Sequence, residues 1–152
     1  MEMENIKAEL YKLCQQFIEQ RINTAETALE QAREASNDDT KSSAGDKFET
    51  TREMMQQDIS RNKRLLMDAR QNLQVLESLK DHTATEVVKS GSLVYTTEGN
   101  FYISISAGQL TFDGKTYFAI SALSPIGQLL LGKQAKDNIT FNQKKYVILE
   151  VA

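Results

Sequence analysis

Two long runs with helical spacing, nearly free of helix breakers, constrain this chain more than any other feature. Residues 1–82 contain no proline and only one of the seven glycines, Gly45. Within them Ile6, Leu10, Leu13 and Phe17, then Ile18, Ile22, Ala25, Leu29 and Ala32, recur in alternating steps of four and three. That is the seam spacing of a coiled coil, and the change of phase at Phe17 and Ile18 reads as a stutter. The series Phe48, Arg52, Met55, Ile59, Asn62, Leu66, Ala69, Leu73, Leu76 and Lys80 keeps the same alternation. Asn62 is its polar residue at mid-seam, a type that can fix register. The first run, from Glu4 to Ala35, predicts an amphipathic helix of roughly 48 Å at ~1.5 Å per residue.

Between the runs lies Ala35-Ser-Asn-Asp-Asp-Thr-Lys-Ser-Ser-Ala-Gly-Asp46, and no apolar residue larger than alanine falls between Arg33 and Phe48. Two runs of matched length joined by a short polar bend predict an intramolecular antiparallel coiled-coil hairpin over residues 1–82. The bend would be its acidic tip, carrying Asp38, Asp39 and Asp46. Two readings of these carboxylates stand side by side. Asp and Asn suit turns and caps for backbone reasons alone. Carboxylate pairs also hold hard divalent cations such as Mg²⁺, often shared with a partner's phosphates.

After residue 82 the hydrophobic period changes. Ser92–Thr97 and Phe101–Ser106 read as strands around Glu98-Gly-Asn100, and Gln109–Phe112 pairs with Lys115–Ile120 across Asp113-Gly114, a strong hairpin signal. Ser124-Pro-Ile-Gly-Gln-Leu-Leu-Leu-Gly132 begins with Ser before Pro and stops on Gly, which marks a short capped helix. Asn138–Phe141 and Tyr146–Val151 form a last hairpin. Residues 83–152 thus predict a small antiparallel sheet with one helix covering a face, and the chain as a whole is α+β.

Composition narrows the function. The net charge of −3, with 12 Lys and Arg against 16 Asp and Glu before residue 83 and 6 against 5 after it, argues against duplex DNA binding through bulk positive charge. One cysteine, Cys14, excludes an internal disulfide and a four-cysteine zinc site. Cys14 falls among Leu10, Leu13, Phe17 and Ile18, the setting of a buried inert thiol. His82, the single histidine, lies in the polar joint Lys80-Asp-His-Thr-Ala-Thr85 and reads as an exposed linker residue. No signal-peptide core and no stretch approaching ~18 apolar residues is present, so a cytoplasmic protein without membrane contact is expected.

The order of parts and several residues resemble the Gre (GreA/GreB) family of bacterial transcription elongation factors. The likeness is most specific at Ser124-Pro-Ile-Gly-Gln-Leu-Leu-Leu-Gly-Lys133, then Asp137-Asn-Ile, then the closing Tyr146-Val-Ile-Leu-Glu-Val151. Ala32-Arg-Glu34 and Arg52-Glu53 flank the tip as in that family, whereas residues 95–120 match only in pattern. The resemblance implies an FKBP-like C-terminal domain that docks, through Ser124 and Pro125, at the rim of the RNA polymerase secondary channel. It implies that the hairpin enters the channel and that Asp38 and Asp39, with Asp46 as a further candidate, help hold a Mg²⁺ shared with polymerase and orient water for cleavage of a backtracked RNA 3′ end. The chain would then be a monomeric accessory factor rather than an enzyme, with no stably bound cofactor. Two departures stand out. Asp39-Thr-Lys-Ser42 replaces the cleaving members' Asp-Leu-Lys-Glu, and Leu123 replaces an acidic residue before the Ser-Pro pair. Some members of the family keep the hairpin and use acidic tips to block polymerase rather than stimulate cleavage, so a non-cleaving regulator is the alternative.

Other classes fit less of the chain. Gly127–Lys133 has the spacing of a phosphate-binding loop up to its lysine, but Gln134 follows where Ser or Thr is required. A prolyl isomerase or peptide-binding module needs an aromatic pocket, and the chain has no tryptophan. A structural coiled-coil adaptor would explain the helices without the tip. The cluster Arg61, Lys63 and Arg64 reads as a solvated helix face or a contact to RNA or polymerase.

Overall fold

The computed structural model describes residues 2–39 and 45–152, with side chains described over 5–35 and 51–152. Two helices, α1 (Glu2–Asp39) and α2 (Gly45–Glu77), precede six strands and a short helix. The fold is α+β. No described helix is long and apolar enough to cross a membrane. The chain divides into two compact units, Met1–Phe17 with Leu73–Ala152, and Ile18–Asn72.

In the Ile18–Asn72 unit, Ala25 and Leu29 of α1 pack with Ile59 and Leu66 of α2, flanked by Ile22 and Ala32. These are the seam residues expected from the spacing. Arg70 reaches Glu26 across the pair at 3.5 Å. Only residues 40–44 join the two helices. Five residues cannot run back along a helix of this length, so α2 packs beside α1 only by reversing direction. Asn62 spends its amide nitrogen on Asp58 O of its own helix, 2.9 Å away, so that donor does not set register across the pair. The helix also continues through Ala35–Asp39, where the sequence suggested the bend had begun. No residue there breaks a helix, the first glycine being Gly45, so α1 propagates to its end.

The six strands are β1 (Leu93–Thr96), β2 (Gly99–Ser104), β3 (Gly108–Phe112), β4 (Lys115–Ser121), β5 (Asn138–Phe141) and β6 (Lys144–Val151), with α3 (Pro125–Leu130) between β4 and β5. All the strands and the helix read from the sequence are present, with ends displaced by a few residues. Their order is β3-β4-β2-β1-β6-β5. The expected all-antiparallel sheet is corrected at one place: β2 and β4 pair in parallel, Phe101 beside Phe118 and Ile103 beside Ile120. The cause is topological. After β2 the chain skips one position to lay down β3, and the Asp113-Gly114 turn folds β4 back into the gap, so β4 runs with β2.

Side chains alternate across a strand, and β2 uses both faces. Phe101 and Ile103 join Val88, Val94, Leu130, Ile139 and Ile148 in a core that α3 closes with Leu130 and Ile126. Tyr102 and Ser104 point the other way and are buried as well. They lie against Tyr11 and Cys14 of α1. The first turns of α1 therefore cover the face that α3 leaves open. Two hairpin turns differ in cost. Asp113 and Gly114 take φ of 53° and 74°, while Asn142 and Gln143 take 51° and 66°. Both have the double positive φ of a type I′ turn, where a glycine normally takes the second position. Gln143 carries a Cβ in the left-handed region at a cost of about 1 kcal/mol. Gln143→Gly should accordingly raise stability by up to about 1 kcal/mol, offset in part by glycine's unfolded-state entropy. Urea denaturation of the two proteins checks this.

Candidate functional site

The Ser-Pro turn is built on the end of β4. Ser121 O accepts from both Ser124 N (3.1 Å) and Ser124 Oγ (2.6 Å). The Ser124 hydroxyl in turn accepts from Gly127 N at 3.1 Å, and Ser124 has the extended backbone of an N-cap, φ −66° and ψ 157°. Pro125 follows at the first helical turn, where no N–H is needed. A Cβ on Gly127 would overlap Ser121 O, so this close packing requires glycine. Ser124 is thus turned inward as a cap. What the turn offers to a partner is Pro125, exposed, and Leu123, 81% exposed and held by Gln128 Nε2 donating to Leu123 O at 3.1 Å.

The same geometry removes the nucleotide-loop reading of Gly127–Lys133. The amides of Gly127, Gln128, Leu131, Gly132 and Lys133 all donate within the fold, to Ser124, Gly127, Val88 and Leu130. No N–H cradle remains for a phosphate. Asp137 is likewise structural, its carboxylate accepting from Gln134 N at 2.9 Å.

Asp38 and Asp39 stand in the last turn of α1, and Asp46 is the second residue of α2. The side chains of all three lie outside the described residues, as do Lys41 and Ser42 altogether. Among the described residues no group of three or more His, Cys, Asp and Glu side chains converges to hold a metal. The helix positions are informative in themselves. Asp46 sits where a helix dipole favours negative charge, but Asp38 and Asp39 sit at the negative end, in a turn with no basic residue. Capping and dipole effects explain Asp46 and leave Asp38 and Asp39 unexplained. Of the basic cluster, Arg61 is paired locally with Asp58 at 2.9 Å on an exposed surface.

A second concave region lies in the unit of Met1–Phe17 and Leu73–Ala152. Its cleft of about 670 Å³ is bordered by Lys7, Tyr11 and Lys12 of α1, by Lys80, His82 and Thr83 after α2, and by Gly91 and Tyr102 of the sheet region. His82 corrects the expectation of an exposed linker residue. Its Nδ1 lies 2.8 Å from Lys7 Nζ, 75 residues away. An ammonium only donates, so Nδ1 accepts and the ring proton sits on Nε2. Nε2 is buried without a partner. The ring packs so closely on Gly91 that a Cβ there would overlap it. Burial first, then the charges of Lys7 and Lys89, push the imidazole down to about 4.

Behind the cleft wall, burial raises the Cys14 thiol to about 11, in accord with an inert buried cysteine. Ser104 Oγ, buried without a hydrogen bond of good geometry, lies beside Cys14 and Tyr102 and opposes that shift weakly. Tyr11 is raised by burial and then by Glu77 and Asp81. No sequence signal links Lys7, Tyr11, His82 and Tyr102, because their meeting is a long-range consequence of packing.

No protein-family model matches the chain, and no curated protein matches it.

The His82 environment has a pH signature. Its folded pKa lies below the unfolded value of 6.5, so the unfolded chain takes up the proton first. Stability is full above about pH 6.5 and falls as pH drops toward 4. With solvent screening of this partly exposed ring, the loss between about pH 7 and pH 5 should be on the order of 1 kcal/mol. Urea denaturation of wild type and His82→Gln at both pH values isolates it, the variant showing a smaller drop.

Proposed function

We propose that this chain is an RNA polymerase-binding elongation regulator of the Gre type, made of an antiparallel coiled-coil hairpin and an FKBP-like domain. The observation that carries the reading is the placement of Asp38 and Asp39 at the dipole-disfavoured end of α1, beside a five-residue connection to α2. Two like charges kept where they destabilise a helix call for a role outside the helix. The hairpin delivers them, with Asp46 alongside, into the polymerase secondary channel, where they share a Mg²⁺ that polymerase anchors. Asp38 and Asp39 would hold that ion, which would supply Lewis-acid assistance and a positioned water for cleavage of the 3′ end of backtracked RNA.

The Ser124-Pro125 turn supplies the anchor at the channel rim. Since the Ser124 hydroxyl is spent on Ser121 and Gly127, contact falls to Pro125 and Leu123. Leu123 in place of an acidic residue makes that contact apolar. A second reading, a regulator that occupies the channel without stimulating cleavage, is favoured by Ser42 in place of the acidic partner of Asp39.

Transcript cleavage by a backtracked elongation complex of the cognate polymerase tests the first reading. Asp38→Asn with Asp39→Asn should lower stimulated cleavage at least about tenfold while raising helix stability by roughly 0.5–1 kcal/mol. Unchanged cleavage removes the metal role. Leu123→Ala with Pro125→Ala should weaken polymerase binding by about tenfold, since exposed apolar anchors carry contact energy. A wild-type chain that binds polymerase without stimulating cleavage supports the second reading, and one that does not bind leaves a structural adaptor.

A further inference from the structure

Within the Ile18–Asn72 unit, α2 carries a second four-three series besides its apolar seam. The seam runs through Ile59 and Leu66, which pack with Ala25 and Leu29. Met54, Asp58, Arg61, Leu65, Asp68 and Asn72 recur on the same helix at steps of four, three, four, three and four, so they share another face. That face is open. Met54 and Leu65 are 62% and 49% exposed, Arg61, Asp68 and Asn72 are exposed as well, and Asp58 is half-buried. All six belong to one unit.

The order of charges along this face selects what can lie on it. Counted from Leu65, Arg61 and Asp68 stand four residues before and three after, while Asp58 and Asn72 stand seven before and seven after. An identical face laid across it antiparallel, with a two-fold axis at Leu65, sets Leu65 on Leu65 and Arg61 beside Asp68 of the second copy. Asp58 then meets the amide of Asn72. A parallel arrangement sets Arg61 on Arg61, Asp58 on Asp58 and Asp68 on Asp68, which repel. Arg61 already bonds Asp58 at 2.9 Å, but that pair is exposed and the five-donor guanidinium retains N–H groups for a second carboxylate. Among the described residues no ion pair engages Asp68.

We propose that this face pairs two copies of the chain, antiparallel, about Leu65. The contact is small, with one leucine pair at the centre, Met54 toward each end and two Arg61–Asp68 contacts between them. It is therefore weak and reversible, with Kd on the order of 100 µM. At dilution the chain is the monomer that the family resemblance implies, and pairing appears as concentration rises. The proposal does not rest on the polymerase reading, and its test needs no polymerase.

Sedimentation equilibrium of the intact chain at low salt, from about 10 µM to about 1 mM, should show monomer giving way to a predominant dimer. Leu65→Glu should weaken pairing at least about tenfold. Arg61→Asp alone faces carboxylate with carboxylate, and Asp68→Arg alone faces guanidinium with guanidinium, so each should stay monomeric. An equimolar mixture of the two joins opposite charges at both contacts and should restore the dimer. These positions are exposed, so each variant should keep the far-UV circular dichroism of wild type. A spin label on Gln57→Cys, the native Cys14 being buried, should report an axial separation of roughly 24 Å in the antiparallel pair. A wild-type chain still monomeric at about 1 mM, single variants that pair like wild type, a mixture that stays monomeric, or labels lying side by side would each overturn the proposal.

Discussion

The structure depends on burial of β2 from both sides. Its four residues Phe101–Ser104 are all buried, and one helix can cover only one face of a sheet. Phe101 and Ile103 lie under α3, while Tyr102 and Ser104 lie against Tyr11 and Cys14 at the start of α1. Without those first turns of α1, Tyr102 and its neighbours would face water at about 25 cal/mol per Å² of apolar surface. The residues that begin the long helix thus complete the core of the unit that ends the chain.

That arrangement also creates the cleft. Packing α1 against one edge of the sheet face brings Lys7 to His82 and leaves a space that the side chains do not fill. The imidazole stays neutral there because burial and two lysines both disfavour its charged form. Its unpartnered Nε2 is a local cost, of order 1–3 kcal/mol for a buried donor without an acceptor, offset by the rest of the core.

At the other end of the helices the tension is electrostatic. The seam residues of the Ile18–Asn72 unit follow their apolar pattern without conflict, and the conflict is confined to Asp38 and Asp39. Helix stability alone would place lysine or arginine there. The Ser124 turn shows the opposite economy: the Ser124 hydroxyl and the Gly127 amide are used inside, while Leu123 and Pro125 face outward.

The sequence by itself determined the elements. Helix and strand identity, the seam residues Ala25, Leu29, Ile59 and Leu66, the Asp113-Gly114 turn and the Ser124-Pro125 cap were legible because each rests on period or on backbone preferences within a few residues. The inert setting of Cys14 was legible for the same reason. Tertiary structure alone decided the parallel pairing of β2 with β4, the cover that α1 gives to Tyr102 and Ser104, and the contact of Lys7 with His82 across 75 residues. Strand order and face-to-face packing are chosen by which distant surfaces bury one another, and no local spacing encodes that choice. His82 shows the difference most plainly: a residue that reads as exposed in sequence is half-buried in space, with its Nε2 covered.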